Sequence, residues 1–299
     1  MAAGNHQTIN TPRVLLTGAS SQIGVFAIPR LVEAGFRVFA VSRQGKPANY
    51  PVYEQVEWLN EVDSKPASTT CRYLLSAGPM ELAQKYLSCG TGIQAAIVFS
   101  SSSVNTKQQS RNSIERNQIK TMLALESELR LQSDKSGVRL LIFRTTLIYG
   151  CGLDTNISLL AKWIRRFGLM PVNGKAMGLR QPVHSDDLAS AAITALLSRD
   201  TLPDMMYLAG GETLSYSEMV RRIFIALGKP VRLIRLPQWI FVMLIGFVNK
   251  VRSGSGVNAE MVRRQQLDLV FDDHPAREFL NYKPRPFEPD SADFSMPDI

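Results

Sequence analysis

Only three cysteines and three histidines occur in 299 residues, and that scarcity excludes several classes of protein. Cys71, Cys89 and Cys151 are an odd number without C-x-x-C spacing. They offer neither a disulfide framework nor a thiolate zinc site, no metal is expected, and the thiols suit a reducing cytoplasm. Long apolar runs are also missing. The longest, Trp239 to Val248, has ten residues, whereas a bilayer core needs roughly 20. It reads as a buried or partner-facing helix in preference to a membrane contact. Residues 1–12 are polar and lack an apolar h-region, so a flexible N-terminus is expected and a secretory signal is not. No internal repeat is found, and no low-complexity segment beyond Ser100 to Ser103. Acidic residues are outnumbered, 26 against 34 Lys and Arg, for a net charge of +8. The basic residues are scattered rather than run together, which suits an anionic small molecule and gives little support for nucleic acid.

What is present is an alternation. Short aliphatic runs at Arg13–Thr17, Arg37–Ser42, Val56–Asn60, Arg72–Leu75, Ala95–Ser100, Val138–Arg144 and Met205–Leu208 predict seven strands. Helical spacing over Ile23–Ala34, stopped by Gly35, and over Ile114–Gln132 predicts helices between them. Strands alternating with helices imply crossover units and an α/β fold, a Rossmann-type doubly wound parallel sheet covered on both faces. From about Leu153 the pattern changes to helices at 157–168 and 216–227 among Gly- and Pro-bearing loops. The expected organisation is a nucleotide-binding domain of residues 13–152 plus about 185–209, which includes a returning helix at Asp186–Leu197. A smaller C-terminal substrate lobe would comprise 153–184 and 210–299.

The segment TGASSQIG, Thr17 to Gly24, lies between the first strand and the first helix, the context of a dinucleotide-binding turn. Gly18 permits the tight turn, Gly24 permits close packing, and the helix N-terminus offers free N–H groups to a pyrophosphate. The middle glycine is replaced by Ser21 or Gln22, depending on register. At the end of the second strand an acidic residue would accept from the ribose hydroxyls of NAD. Ser42 and Arg43 stand there instead, and a planar cation suits a 2′-phosphate, so NADP is favoured and NAD is the alternative.

With these residues in place, the chain resembles an extended, atypical short-chain dehydrogenase/reductase of the NAD(P)-dependent nucleotide-sugar epimerase/dehydratase family. TGASSQIG resembles the family's cofactor loop, and FSSSSVN (Phe99–Asn105) the strand end bearing its catalytic Ser or Thr. FRTTLIYG (Phe143–Gly150) resembles its LRP-x-x-x-YG segment, with Thr145 where proline is usual. RQPVHSDDLASA (Arg180–Ala191) resembles its R-x-x-x-H-V-x-D-x-A segment. The resemblance implies that Gly18, Ser20, Ser21, Gln22, Ile23 and Gly24 line the pyrophosphate and that Ser42 and Arg43 line the adenosine ribose. It places Glu61 and Val62 near adenine, with Ser76, Ala77 and Gly78 in a turn that passes the cofactor. Asn156 and Arg180 would hold the substrate's diphosphate. Asp187 is expected to cap the following helix, and His184 to be a packed structural residue.

The resemblance fails at one point. The family's chemistry needs a Tyr and a Lys four residues apart on the helix after the fifth strand, where the cation lowers the phenol's pKa for proton exchange. If Lys120 is the family lysine, Arg116 takes the tyrosine position; if Glu126 is aligned with the family's glutamate, Gln118 and Met122 take the two positions. Neither register supplies a tyrosine. The stretches Asp63–Cys71 and Gly78–Thr91 also look compact. Ser101 and Ser102 can still orient a substrate oxygen, with Lys120, Tyr149 or a water left to carry the proton, although Tyr149 is better explained as a packed residue. The leading expectation is hydride-transfer chemistry on a nucleotide-activated sugar. The alternatives are a non-catalytic NADP(H)-binding sensor or assembly factor, similar to the accessory subunit of respiratory complex I, and a reductase of a small carbonyl or lipid-like substrate. Family members often pair through the helix at 114–132, whose Met122, Leu123, Leu125 and Leu129 suit a homodimer or the monomer's own core.

Overall fold

The computed structural model describes residues 11–43, 45–48, 50–60, 71–88, 92–237, 239–240, 243 and 259–295. Strands β1 (Arg13–Thr17), β2 (Arg37–Ser42), β3 (Val56–Asn60), β4 (Tyr73–Ser76), β5 (Ala95–Ser101) and β6 (Arg139–Thr145) share one sheet. The short strands β7 (Ile148–Tyr149), β8 (Met170–Asn173), β9 (Leu179–Arg180) and β10 (Val183–His184) leave it, and β11 (Met205–Leu208) returns to its edge. The sheet order is β11-β6-β5-β4-β1-β2-β3, with every pairing parallel. This is the doubly wound arrangement expected from the alternation, and the strands read as continuous apolar runs because both faces are covered.

The two faces have separate cores. Val14, Leu16, Val38, Ala40, Leu75 and Ile97 pack under helix α1 (Gly24–Glu33) and the alanine-rich α6 (Ser185–Leu197). Leu15, Phe39, Leu74, Ala96, Val98 and Ile142 pack under α2 (Met80–Ser88) and the long α4 (Ser113–Ser136), with the short α3 (Ser103–Thr106) between. Successive strand residues alternate between these cores, as a pleat requires. Helix α4 starts at Asn112, whose side chain accepts from the Ile114 N–H at 2.9 Å, and stops at Gly137 in the left-handed region.

Proline 29 lies inside α1 and cannot donate to the carbonyl four residues earlier, that of Val25. Tyr50 donates its hydroxyl to that carbonyl at 2.7 Å, so the helix keeps its acceptor satisfied. The compact stretch from Gly78 to Thr91 holds a helix not expected from its sequence. It contains α2, whose Met80, Ala83 and Leu87 are spaced to bury one face, and whose Gln84 and Ser88 bond to Glu128 and Gln132 of α4.

A third core joins α5 (Ile157–Phe167) to α7 (Tyr216–Ala226) through Ile157, Ala161, Ile164, Val220, Ile223 and Phe224. Around it, β7 pairs with β10, β9 with β12 (Leu214–Ser215), and β8 with β13 (Leu233–Leu236). Helices α8 (Ala259–Arg264) and α9 (His274–Leu280) follow. On α4, Leu129 is fully buried, and Met122 and Leu125 pack against the second core, so the monomer itself uses three of the four residues considered for pairing. No helix among the described residues is long and apolar enough to cross a membrane. Glu61, Val62, the stretch before Cys71, Cys89 and most of Trp239–Val248 lie outside the described residues.

Candidate functional site

The turn from Thr17 to Gly24 sits where β1 and β4 end side by side. Gly18 has φ +67°, and a Cβ built on it would stand 2.4 Å from the Gly78 nitrogen and 2.6 Å from the Ala77 carbonyl carbon. Two turns meet backbone to backbone here, which only glycine allows. A Cβ at Gly24 would stand 2.3 Å from the Gly18 carbonyl, so the first turn of α1 presses on the same loop. Thr17 donates to Ser76 at 2.9 Å, and Ala77 N–H to the Thr17 carbonyl, which locks the two strand ends.

Ser21 accepts from the Gly24 N–H at 3.1 Å, so its side chain turns back onto the helix. Ile23 is buried, and the Gln22 side-chain oxygen is buried without a hydrogen-bond partner. A buried acceptor without a partner at the mouth of the turn costs free energy until something donates to it. Ser20 and Ser42 hydroxyls lie 3.0 Å apart, which ties the loop to the end of β2. Arg43, the next residue, is exposed.

Ser101 and Ser102 end β5 and begin α3. The Ser101 oxygen accepts the Ser103 N–H at 3.2 Å and retains its own proton to donate. Ser102 is buried, with its N–H on the Thr145 carbonyl at 2.9 Å. Thr145, in the place of the usual proline, donates its hydroxyl to the Ser100 carbonyl at 3.1 Å. Helix α4 turns Glu115, Ile119, Glu126 and Leu129 inward. Glu126 accepts from Ser100 at 2.6 Å and is chelated by Arg144.

At about 100° per residue, Met122 lies about 40° from Glu126 around α4, Gln118 about 80° and Lys120 about 120°. Lys120 is exposed. Helix α4 holds no tyrosine. Gln118 is exposed as well, and Met122 is half-buried.

Lys107, which the sequence reading passed over, follows α3 directly. Burial lowers its pKa, while the Glu115 carboxylate 3.8 Å away opposes that shift. Glu115 also accepts both arms of Arg264 at 2.9 Å and the Ser110 hydroxyl at 2.6 Å. Burial would raise the Glu115 pKa, yet these donors and the nearby cations bring it down to about 2. The Glu115–Arg264 pair therefore clasps α4 to α8. No single local motif announces such a contact, because its partners lie 149 residues apart.

On the opposite side, the carboxylate of Asp154 accepts from the Asn156 and Ser158 N–H groups at 2.9 and 3.0 Å, so Asp154 caps α5. Asn156 is exposed and its side chain makes no capping bond. Arg180 is buried. It donates to the carbonyls of Leu179, Leu267 and Arg264 at 2.6–2.8 Å and faces the Tyr216 ring at 5.5 Å. No carboxylate pairs with it among the described residues. Burial brings its pKa down to about 10, with Arg264 pressing the same way, so it is still cationic at neutral pH.

Tyr149 and His184 are packed together, ring centroids 5.1 Å apart, with Phe287 on the other side of the tyrosine. Burial raises the phenol's pKa, which disfavours the phenolate. His184 accepts the Asp186 N–H on Nδ1 and contacts Asp293 through Nε2, and so caps α6. This corrects the expectation for Asp187. Its carboxylate accepts instead from the Arg285 backbone and guanidinium at 3.0 and 2.9 Å, because the cap position is already filled by His184.

No family model matches the chain. A UDP-glucose 4-epimerase of Vibrio cholerae is 24% identical over 235 residues, covering 76% of this chain and 68% of that protein. An epimerase of Methanothermobacter thermautotrophicus superposes with a TM-score of 0.71 at 15% identity, over 93% of this chain and 89% of that one. A UDP-glucuronic acid 4-epimerase of Bacillus cereus, in complex with UDP-glucuronic acid and NAD, gives 0.68 at 15% identity, over 92% and 94%. The chain has the fold of these sugar-nucleotide epimerases.

Proposed function

We propose that the chain binds NAD(P) at the Gly18–Gly78 cradle and catalyses epimerisation or dehydration of a nucleotide-activated sugar. The observation that carries this reading is the convergence of three features. Two turns meet with no room for a side chain, an unpartnered Gln22 oxygen lies beside them, and Ser101 and Ser102 stand at the end of β5. The C-terminal ends of parallel strands are where such folds take their ligands. The fold likeness to sugar-nucleotide epimerases supports the enzyme over a sensor, an assembly factor or a small-carbonyl reductase.

A nicotinamide supplies reversible hydride transfer when bound. The backbone around Ser20 to Gly24 holds its pyrophosphate, and Ser42 and Arg43 take the adenosine ribose. Arg43, exposed at the end of β2, favours the 2′-phosphate of NADP, whereas the Bacillus relative was solved with NAD. Ser101 donates to the substrate oxygen. Asn156, with its free side chain, and Arg180, with no carboxylate partner, take the diphosphate.

Lys107 joins Lys120, Tyr149 and a water as a candidate for the proton. Tyr149 is sealed in a packed core and Lys120 faces away from the buried side of α4, whereas Lys107 leaves the helix that begins beside Ser102 and has a lowered pKa. In this reading Lys107 is the candidate proton carrier, and it would have to exchange its contact with Glu115 for the substrate. Incubation with UDP-glucose, UDP-glucuronic acid and their N-acetylhexosamine counterparts, followed by proton NMR of the sugar, tests the proposal. Epimer or dehydrated product that Lys107→Met abolishes without loss of cofactor binding supports it. No conversion of any sugar, with NAD or NADP bound, overturns it.

A further inference from the structure

We propose that the outer face of α5, together with the β8–β13 corner, binds an anionic membrane surface. The net charge of +8 is unevenly placed. Residues 157–185 and 219–259 hold 12 of the 34 Lys and Arg and not one Asp or Glu, so the rest of the chain carries 22 basic against 26 acidic residues. The asymmetry comes from missing acids, not from runs of bases.

The first of these stretches contains α5, whose buried face is Ile157, Ala161 and Ile164. Its outer face bears Leu159, Trp163 and Phe167, one helical turn apart and 39–49% exposed. Trp163 and Phe167 rings lie 4.4 Å apart, and the indole donates to the Leu169 carbonyl at 3.1 Å. Leu169 leads into β8, where the Met170 N–H donates to the Arg232 carbonyl and Pro171 stands in register with Ile234 of β13. Val231 and Ile234 are 41% and 43% exposed there. Lys229 reaches back to the Arg165 carbonyl at 2.8 Å, so the two stretches form one surface.

Exposed cations frame the apolar residues: Lys162, Arg165 and Arg166 on α5, Arg232 just before β13 and Arg235 within it. Arg166 lies over the Phe167 ring at 5.5 Å. The acids bordering these stretches are engaged: Asp154 accepts from the Asn156 and Ser158 N–H groups, Glu218 pairs with Arg221 and Arg222, and Asp293 contacts His184. Aromatic and aliphatic side chains set among Lys and Arg match the boundary between acyl chains and anionic headgroups. A water-soluble face has no comparable use for an exposed Trp–Phe pair.

The test uses the full chain and sedimentation with vesicles of phosphatidylcholine alone or mixed with phosphatidylglycerol. Binding is expected only to the anionic vesicles at low salt, with release at high salt. The triple variant Arg166→Glu, Arg232→Glu, Arg235→Glu should lower partitioning on the order of tenfold or more, at about fivefold per cation. Trp163→Ser with Phe167→Ser should lower it as well, with NADPH binding unchanged. If the variants do not fold, the lipid and salt dependence of the parent chain decides alone. Failure to bind, or equal binding to both vesicle types, overturns the proposal. So does a dimer that the variants dissolve without any vesicle binding, because it would assign the face to a second copy.

Discussion

The two ends of the site differ in how far their polar groups are already engaged. Around the cofactor turn, Arg43 is exposed, the Gln22 oxygen has no partner and Ser101 keeps a proton to donate. The backbone is locked instead, by Gly18 against Gly78 and by Thr17 on Ser76. At the other end two cations are occupied: Arg264 grips Glu115 and Arg180 donates to three carbonyls. A rigid frame with free donors is prepared for its ligand, whereas a site whose cations hold the protein itself must exchange those contacts when an anion arrives.

The sharpest way to break the first half of the contrast is Gly18→Val. Its Cβ would fall 2.4 Å from the Gly78 nitrogen at a positive φ, so NADPH binding should be lost and stability should drop by about 3 kcal/mol or more, read by fluorescence titration and thermal melting.

The clasp in the second half is tested by Glu115→Ala. Leaving Arg264 buried without its partner should cost about 3 kcal/mol. The Glu115 pKa lies near 2 in the fold against an ordinary 4.5. Its stabilisation is therefore fully present above about 4.5 and is lost as pH falls through about 2. The gap in melting temperature between parent and variant should narrow across that window; a gap independent of pH would remove the clasp from the account.

Arg43→Ala sharpens the cofactor side. Loss of a charge-assisted contact should weaken NADPH about tenfold and leave NADH unchanged. The smallest effect concerns Cys151, buried beside the Gln22 carbonyl, with burial raising its pKa to about 11. Peptide mapping after iodoacetamide treatment should find it unmodified in the folded chain.

The same contrast explains how much could be read from the sequence. The seven strands, α1, α4 and the cofactor turn are local: an aliphatic run, a helical spacing or a glycine at fixed offset declares each one. The end of β5 at Ser101 is legible for the same reason, as the close of an aliphatic run, whereas a role for Ser101 and Ser102 comes only from the family resemblance. Helix α2 lies in a stretch read only as compact, because its apolar Met80, Ala83 and Leu87 span little more than two turns directly after the Gly78 turn. The second lobe rests on paired strands of two residues, such as β7 with β10, and on contacts like Arg264 with Glu115, whose energy depends on residues far apart in sequence. Asp187 has the composition of a cap, but His184 takes the role by geometry. The rotation of Lys120 away from Glu126 follows only from the face that α4 buries.

The most direct measurement is a fluorescence titration of the full chain with NADPH and with NADH, each repeated in the presence of UDP-glucose or UDP-glucuronic acid. If the cradle at Gly18 and Gly78 is a cofactor site coupled to a sugar-nucleotide site, NADPH binds, more tightly than NADH, and one of the sugars shifts the curve. Absence of binding by either dinucleotide, from a chain shown to be folded, would contradict the account at its base.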